Sequence, residues 1–103
     1  MAYRVVVMPS ARADLDEYTA YIAEDSPGRA VEWLSQAWEL IFSLKENPKR
    51  FAVIPEAHEL GGELRDVRHF SHRIVYWVRE EQGVVEIIRV YHGARRELRP
   101  DDL

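Results

Sequence analysis

Two strongly β-prone runs, Arg73–Arg79 (RIVYWVR) and Val84–Tyr91 (VVEIIRVY), are separated only by the polar turn Glu80–Gly83. No other feature constrains the fold as much. A short polar connection between two such runs makes an antiparallel hairpin. The second run is apolar on both faces, and a strand of that kind belongs in the middle of a sheet. It stops at Gly93 and opens into Arg95 and Arg96, so the hairpin delivers His and Arg side chains to one end of the sheet.

The upstream sequence supplies what such a strand needs on its flank and faces. Tyr3–Met8 (YRVVVM) is a short β-branched run, ended by Pro9, with Ser10 expected as the helix N-cap. Ala11, Leu15, Tyr18 and Ile22 then recur at helical spacing and make one apolar face. Ser26 and Pro27 start a second helix, expected to run to about Glu46 and to stop at Asn47-Pro48. Its apolar positions cover more than half its circumference, so it should be covered on two sides, by the sheet and by the first helix. Residues 48–62 read as a loop, with Gly61-Gly62 in it and Phe51, Val53 and Ile54 pinning it to the core. Glu63–Phe70 is half polar, as an edge strand is. The expected order is β-α-α-β-β-β: one α+β domain spanning residues 1–103, with a helical hairpin packed on a mostly antiparallel four-stranded sheet.

The 103 residues are 47% hydrophobic, which excludes a disordered chain and fits a single core. The absence of cysteine excludes disulfides and thiolate metal sites and suits a reducing compartment. No apolar run is long enough to span a membrane, and the first residues lack a signal-peptide pattern. The expectation is a soluble, cytoplasmic protein. Net charge is -4. Residues 13–62 hold ten acids against four bases, whereas residues 63–99 hold six acids against eight bases. The cationic surface is therefore confined to the sheet end, and a general nucleic-acid binder would be basic overall.

Arg65, Arg68, His69, His72 and Arg73 form one basic run; Arg89, His92, Arg95, Arg96 and Arg99 form another. The start of the third strand lies beside the end of the fourth, which brings His72 and Arg73 toward His92 and Arg95. Converging guanidinium forks bind carboxylate or phosphate. The plainer reading is a solvated edge pairing with Glu63, Asp66 and Glu97. His92 can act as a general acid or base, although a lone histidine at a strand end is more often structural. His69 and His72 lack a third ligand at metal spacing, the serines lie in no nucleophile motif, and no cofactor is implied. Trp33, Trp38 and Trp77 are read as core; one left exposed would mark a partner groove.

Three segments, VVVMPSARADLDEYTAYI, HRIVYWV and VEIIRVYHGARR, resemble toxins of the RelE/ParE superfamily from bacterial type II toxin–antitoxin (plasmid stabilisation) modules. The resemblance covers residues 3–96 and implies the same β-α-α-β-β-β fold. It also implies two possible activities. The RelE branch cleaves mRNA in the ribosome with lysines on strand 2, arginines on strands 3 and 4 and a tyrosine near the C-terminus. Arg73 and Arg95 match the arginines, and His92 keeps a ribonuclease reading open. The lysine positions fall on Leu64 and Asp66, and no tyrosine follows Tyr91. The ParE branch lacks the nuclease set and poisons DNA gyrase. The missing lysines, the RVYHGARR ending and the acidic overall charge favour ParE. The resemblance thus implies a cognate antitoxin as partner and DNA gyrase as target, with Arg68, Arg73, His92, Arg95 and Arg96 as target-recognition residues. A relative that binds its antitoxin without being toxic is the third reading.

Overall fold

The structure, a computed structural model, describes residues 2–93. Its elements are β1 (Arg4–Val7), α1 (Pro9–Asp25), α2 (Pro27–Ser43), α3 (Ala57–Leu60), β2 (Leu64–His69), β3 (His72–Arg79) and β4 (Val84–His92), with a 3-10 turn at Pro48–Arg50. The strands form one sheet in the order β1-β4-β3-β2. β2–β3 and β3–β4 are antiparallel, and β1 lies parallel to β4 with Arg4 opposite Val84. This is the α+β arrangement expected from the sequence, with β4 inside the sheet and β2 at its rim.

α1 begins at Pro9 with Met8 as N-cap, so Ser10 lies inside the helix and caps nothing. Proline explains the difference: its fixed φ suits the first helical position, and its missing N–H would be unsatisfied there anyway. α2 begins as expected, with Pro27 first and the Ser26 hydroxyl accepting from the Arg29 N–H. It ends at Ser43, a turn before Glu46. There the Lys45 carbonyl accepts from the Tyr3 N–H at 2.8 Å, and Asn47 turns the chain in the left-handed region at φ 48°. Helix end and first strand thereby satisfy each other's backbone groups.

Most of the core lies between the helices and one face of the sheet. Ala11 and Leu15 from α1, Trp33, Ala37 and Ile41 from α2, and Ile74, Tyr76, Val85 and Ile87 from the sheet close that layer. Trp33 is core as expected. Trp38 is half-buried, stacked on Phe42 with the Arg12 guanidinium over its ring.

The other sheet face has its own smaller core. Residues 51–62 cross over it, and Ile54 and Ala57 pack against Leu64, Val75 and Tyr91. Of the three residues expected to pin this segment, Phe51 packs on the helix-side core and Ile54 on the far side, while Val53 is exposed and bridges to Arg65. The segment is more than the loop expected from the sequence, because it contains α3 and covers the sheet. Gly62 is part of that covering: a Cβ there would stand 2.4 Å from Trp77 Cζ2. Trp77 is sandwiched in turn by the Arg79 guanidinium, 3.7 Å above the ring centre.

β4 outruns β1, whose pairing stops at Val7–Ile87. A register shift opposite Val75/Tyr76 inserts one residue there, a bulge. Past it α1 replaces the missing strand. Asp14 Oδ2 accepts from the Val90 N–H at 2.9 Å, and Arg89 donates to the same carboxylate through Nε and Nη2 at 2.7 and 2.9 Å. One side chain thus satisfies the backbone where the ladder has run out.

Candidate functional site

Two cross-strand rows meet at the end of the sheet that carries the β2–β3 turn. Their register is Arg68–Arg73–Tyr91 and His69–His72–His92. Neighbouring residues of a strand point to opposite faces. The arginine row therefore faces the covering segment, and the histidine row faces the helices.

The histidine row is packed into aromatic rings. His72, 3% exposed, lies 4.0 Å from the Tyr18 ring, 5.3 Å from Trp33 and 5.2 Å from His92, centre to centre. His69 is also buried, and its Nε2 lies 3.0 Å from the Trp33 carbonyl. A carbonyl only accepts, so that nitrogen carries the proton. These contacts make His69 and His72 part of the wall that α2 packs against. His92 is half-buried at the lip of a cleft of about 860 Å³ between α1 and β4, opposite Glu17, Tyr21 and Glu24.

In the arginine row, Arg73 is already engaged. It donates through Nε to Asp66 Oδ2 at 2.7 Å, through Nη1 to Glu56 Oε2 at 3.0 Å and through Nη2 to Glu56 Oε1 at 3.3 Å. The side chains of Arg73 and Glu56 are only 13% and 7% exposed. Burial alone would lower the Arg73 pKa, but the hydrogen bonds and charges of Glu56 and Asp66 outweigh it and the net shift is upward. An incoming phosphate would have to displace two carboxylates and would meet their repulsion. Asp66, which stands where the resemblance places a lysine, is one of the two.

Arg68, next in the row, is exposed, and its guanidinium lies over Gly93, where a Cβ would stand 2.6 Å from Nη1. Arg65, on the helix side of β2, binds the Phe51 carbonyl at 2.6 Å and pairs with Glu63. The plainer sequence reading, a solvated edge pairing with Glu63 and Asp66, is met in its pairs, Arg65–Glu63 and Arg73–Asp66, but not in its solvation, because the two arginine side chains are only 12% and 13% exposed.

Of the residues singled out from the sequence, Arg68, Arg73 and His92 come to one end of the sheet, as expected. Arg73 and His92 nevertheless lie on opposite faces. Arg95 and Arg96 lie outside the described residues. Sequence reasoning missed Glu56 and the Asp14–Arg89 pair. Nothing local marks either, because both pairs join segments far apart in the chain. Among the described residues no three His, Asp or Glu side chains are placed to hold a metal ion, and no helix is long and apolar enough to cross a membrane.

Comparison with known proteins agrees with this fold. A chain of the RelBE2 toxin–antitoxin complex of Mycobacterium tuberculosis is similar, with a TM-score of 0.65 and 29% identity over 92% of this chain and 95% of that one. A chain of the chromosomal ParDE system of P. aeruginosa superposes with a TM-score of 0.66 at 17% identity, covering 88% of this chain and 96% of its own length. The archaeal RelE–RelB complex of Pyrococcus horikoshii OT3 gives 0.62 at 21% identity, covering 93% and 100%. No curated protein matches in sequence. The family model described as the ParE toxin of the type II toxin–antitoxin system parDE matches residues 5–97. By that match, over nearly the whole chain and on the fold just described, this protein belongs to the ParE toxin family within the RelE/ParE superfamily.

Proposed function

We propose that the chain acts as the ParE-type toxin of a type II pair: it binds and inhibits a protein target, DNA gyrase, and a cognate antitoxin neutralises it. The observation that carries this reading is the closure of Arg73 by Glu56 and Asp66. Cleaving a phosphodiester requires cations facing the developing negative charge and groups that move two protons. Here the matching arginine is neutralised, a carboxylate stands at a lysine position, and His92 lies on the other face of the sheet from Arg73. Recognition of the target falls to Arg68, His92, Arg95 and Arg96, and Arg73 serves by holding the covering segment in place. Two of the similar solved structures are toxin–antitoxin complexes. That supports a small antitoxin whose binding segment folds as it docks.

The test is a pair of assays on purified protein. Gyrase supercoiling should stop while mRNA on translating ribosomes stays intact. Cleaved mRNA with normal supercoiling would establish the ribonuclease reading instead, with Arg73, His92 and Arg95 as its residues. Neither effect, with antitoxin binding retained, would identify a non-toxic relative.

A further inference from the structure

We propose that Phe70, at the tip of the β2–β3 hairpin, is the apolar anchor by which this toxin grips its protein target, with Arg68 taking a carboxylate of that target. The inference rests on the toxin reading above and names the surface that carries it out.

The backbone at Phe70 is the first observation. Its φ of 55° lies in the left-handed region, which a two-residue hairpin turn requires and which asparagine or glycine adopts most readily. Asn47, at φ 48°, shows the ordinary choice in this chain. An aromatic residue is disfavoured at such a position, and burial does not compensate here, because Phe70 is 70% exposed. Its ring meets His69 edge-on at 4.8 Å and otherwise stands out from the surface. The second observation is the shape around the ring. Hollows of about 340 and 460 Å³ flank it along α2, one toward Trp33 and the other toward Leu40. A side chain entering either hollow would remove the ring from water. The third is charge. Arg73 is neutralised, whereas Arg68 is exposed and makes no ion pair with another described residue. An exposed aromatic beside an available guanidinium has the composition of a protein–protein hot spot. Arg29 and Glu32 share the rim of the first hollow, and Glu39 faces Arg68 across the second, so the surface offers one cation beside apolar walls and not the run of cations that a phosphate backbone needs. The occupant is therefore a protein segment that sets an acidic residue beside an apolar one.

Phe70→Asn tests this, because it suits the left-handed turn while deleting the anchor. Growth arrest on induction without antitoxin should be lost, and half-inhibition of supercoiling should need about tenfold more toxin or beyond. The melting temperature should hold or rise, and antitoxin affinity should stay within about twofold. Arg68→Glu leaves the turn intact, should give the same functional loss, and keeps the test decisive if the asparagine variant does not fold. Full toxicity of both variants overturns the proposal. So does a parallel loss of antitoxin binding, which would assign the surface to the antitoxin. A wild-type chain that arrests nothing sinks the toxin reading and this surface with it.

Discussion

Arg73 and Glu56 hold each other in a site nearly closed to water. Replacing Arg73 with methionine would strand two carboxylates there, and stability should fall by about 3–5 kcal/mol in urea unfolding. Adding Glu56→Leu should recover part of that loss, because a buried pair removed together costs far less than one member removed alone. Tyr76 makes a prediction of another kind. Its hydroxyl donates to the Pro48 carbonyl at 2.6 Å, and burial pushes its pKa up to about 12. An unfolded tyrosine titrates near 10. The folded state therefore holds the proton more tightly, and this contribution is complete below about pH 10 and lost as pH rises toward 12. Urea midpoints should fall across that window, and Tyr76→Phe should flatten the fall while costing about 1 kcal/mol at neutral pH. Only half of the Arg73 site was legible in the sequence. Asp66 stands among the cations it pairs with, but Glu56 arrives on a segment whose path no periodicity reveals.

The hairpin and the helices were readable because each carries a strong local signal: two β-branched and aromatic runs around a polar turn for β3 and β4, apolar residues three to four apart for α1, and a Ser-Pro start for α2. Residues 48–62 have none of these. With two prolines and a glycine pair they read as a connection, yet they cover the far sheet face and complete its core. Their apolar residues, Phe51, Ile54 and Ala57, are too few and too unevenly spaced to reveal which face each serves. The contact of Gly62 with the Trp77 indole locks this segment down. Gly62→Ala should push the indole outward or shift the segment, at roughly 1–3 kcal/mol. A lowered melting temperature together with red-shifted tryptophan emission would verify it; unchanged emission and stability would show that the segment yields freely.

At the scale of the whole molecule, the sheet joins the two ends of the described chain. β1 is short, but it covers one edge of β4, and the Tyr3 N–H ties it to the end of α2. Deleting residues 2–7 should leave β4 as a long, apolar, unpaired edge, and such edges aggregate. Size-exclusion chromatography should then show assemblies larger than those the full chain forms. The parallel pairing itself was not legible, since the composition of β1 fits either direction. The topology also has a temporal meaning. β1 is made first and waits for β4, some 80 residues later. At synthesis rates of about 5–20 residues per second, that interval lasts roughly 4–16 seconds. Through all of it the sheet is incomplete and the arginine and histidine rows do not exist. On the function proposed above, the recognition surface at that end of the sheet comes into being only when β4 pairs, so activity would be withheld through that interval.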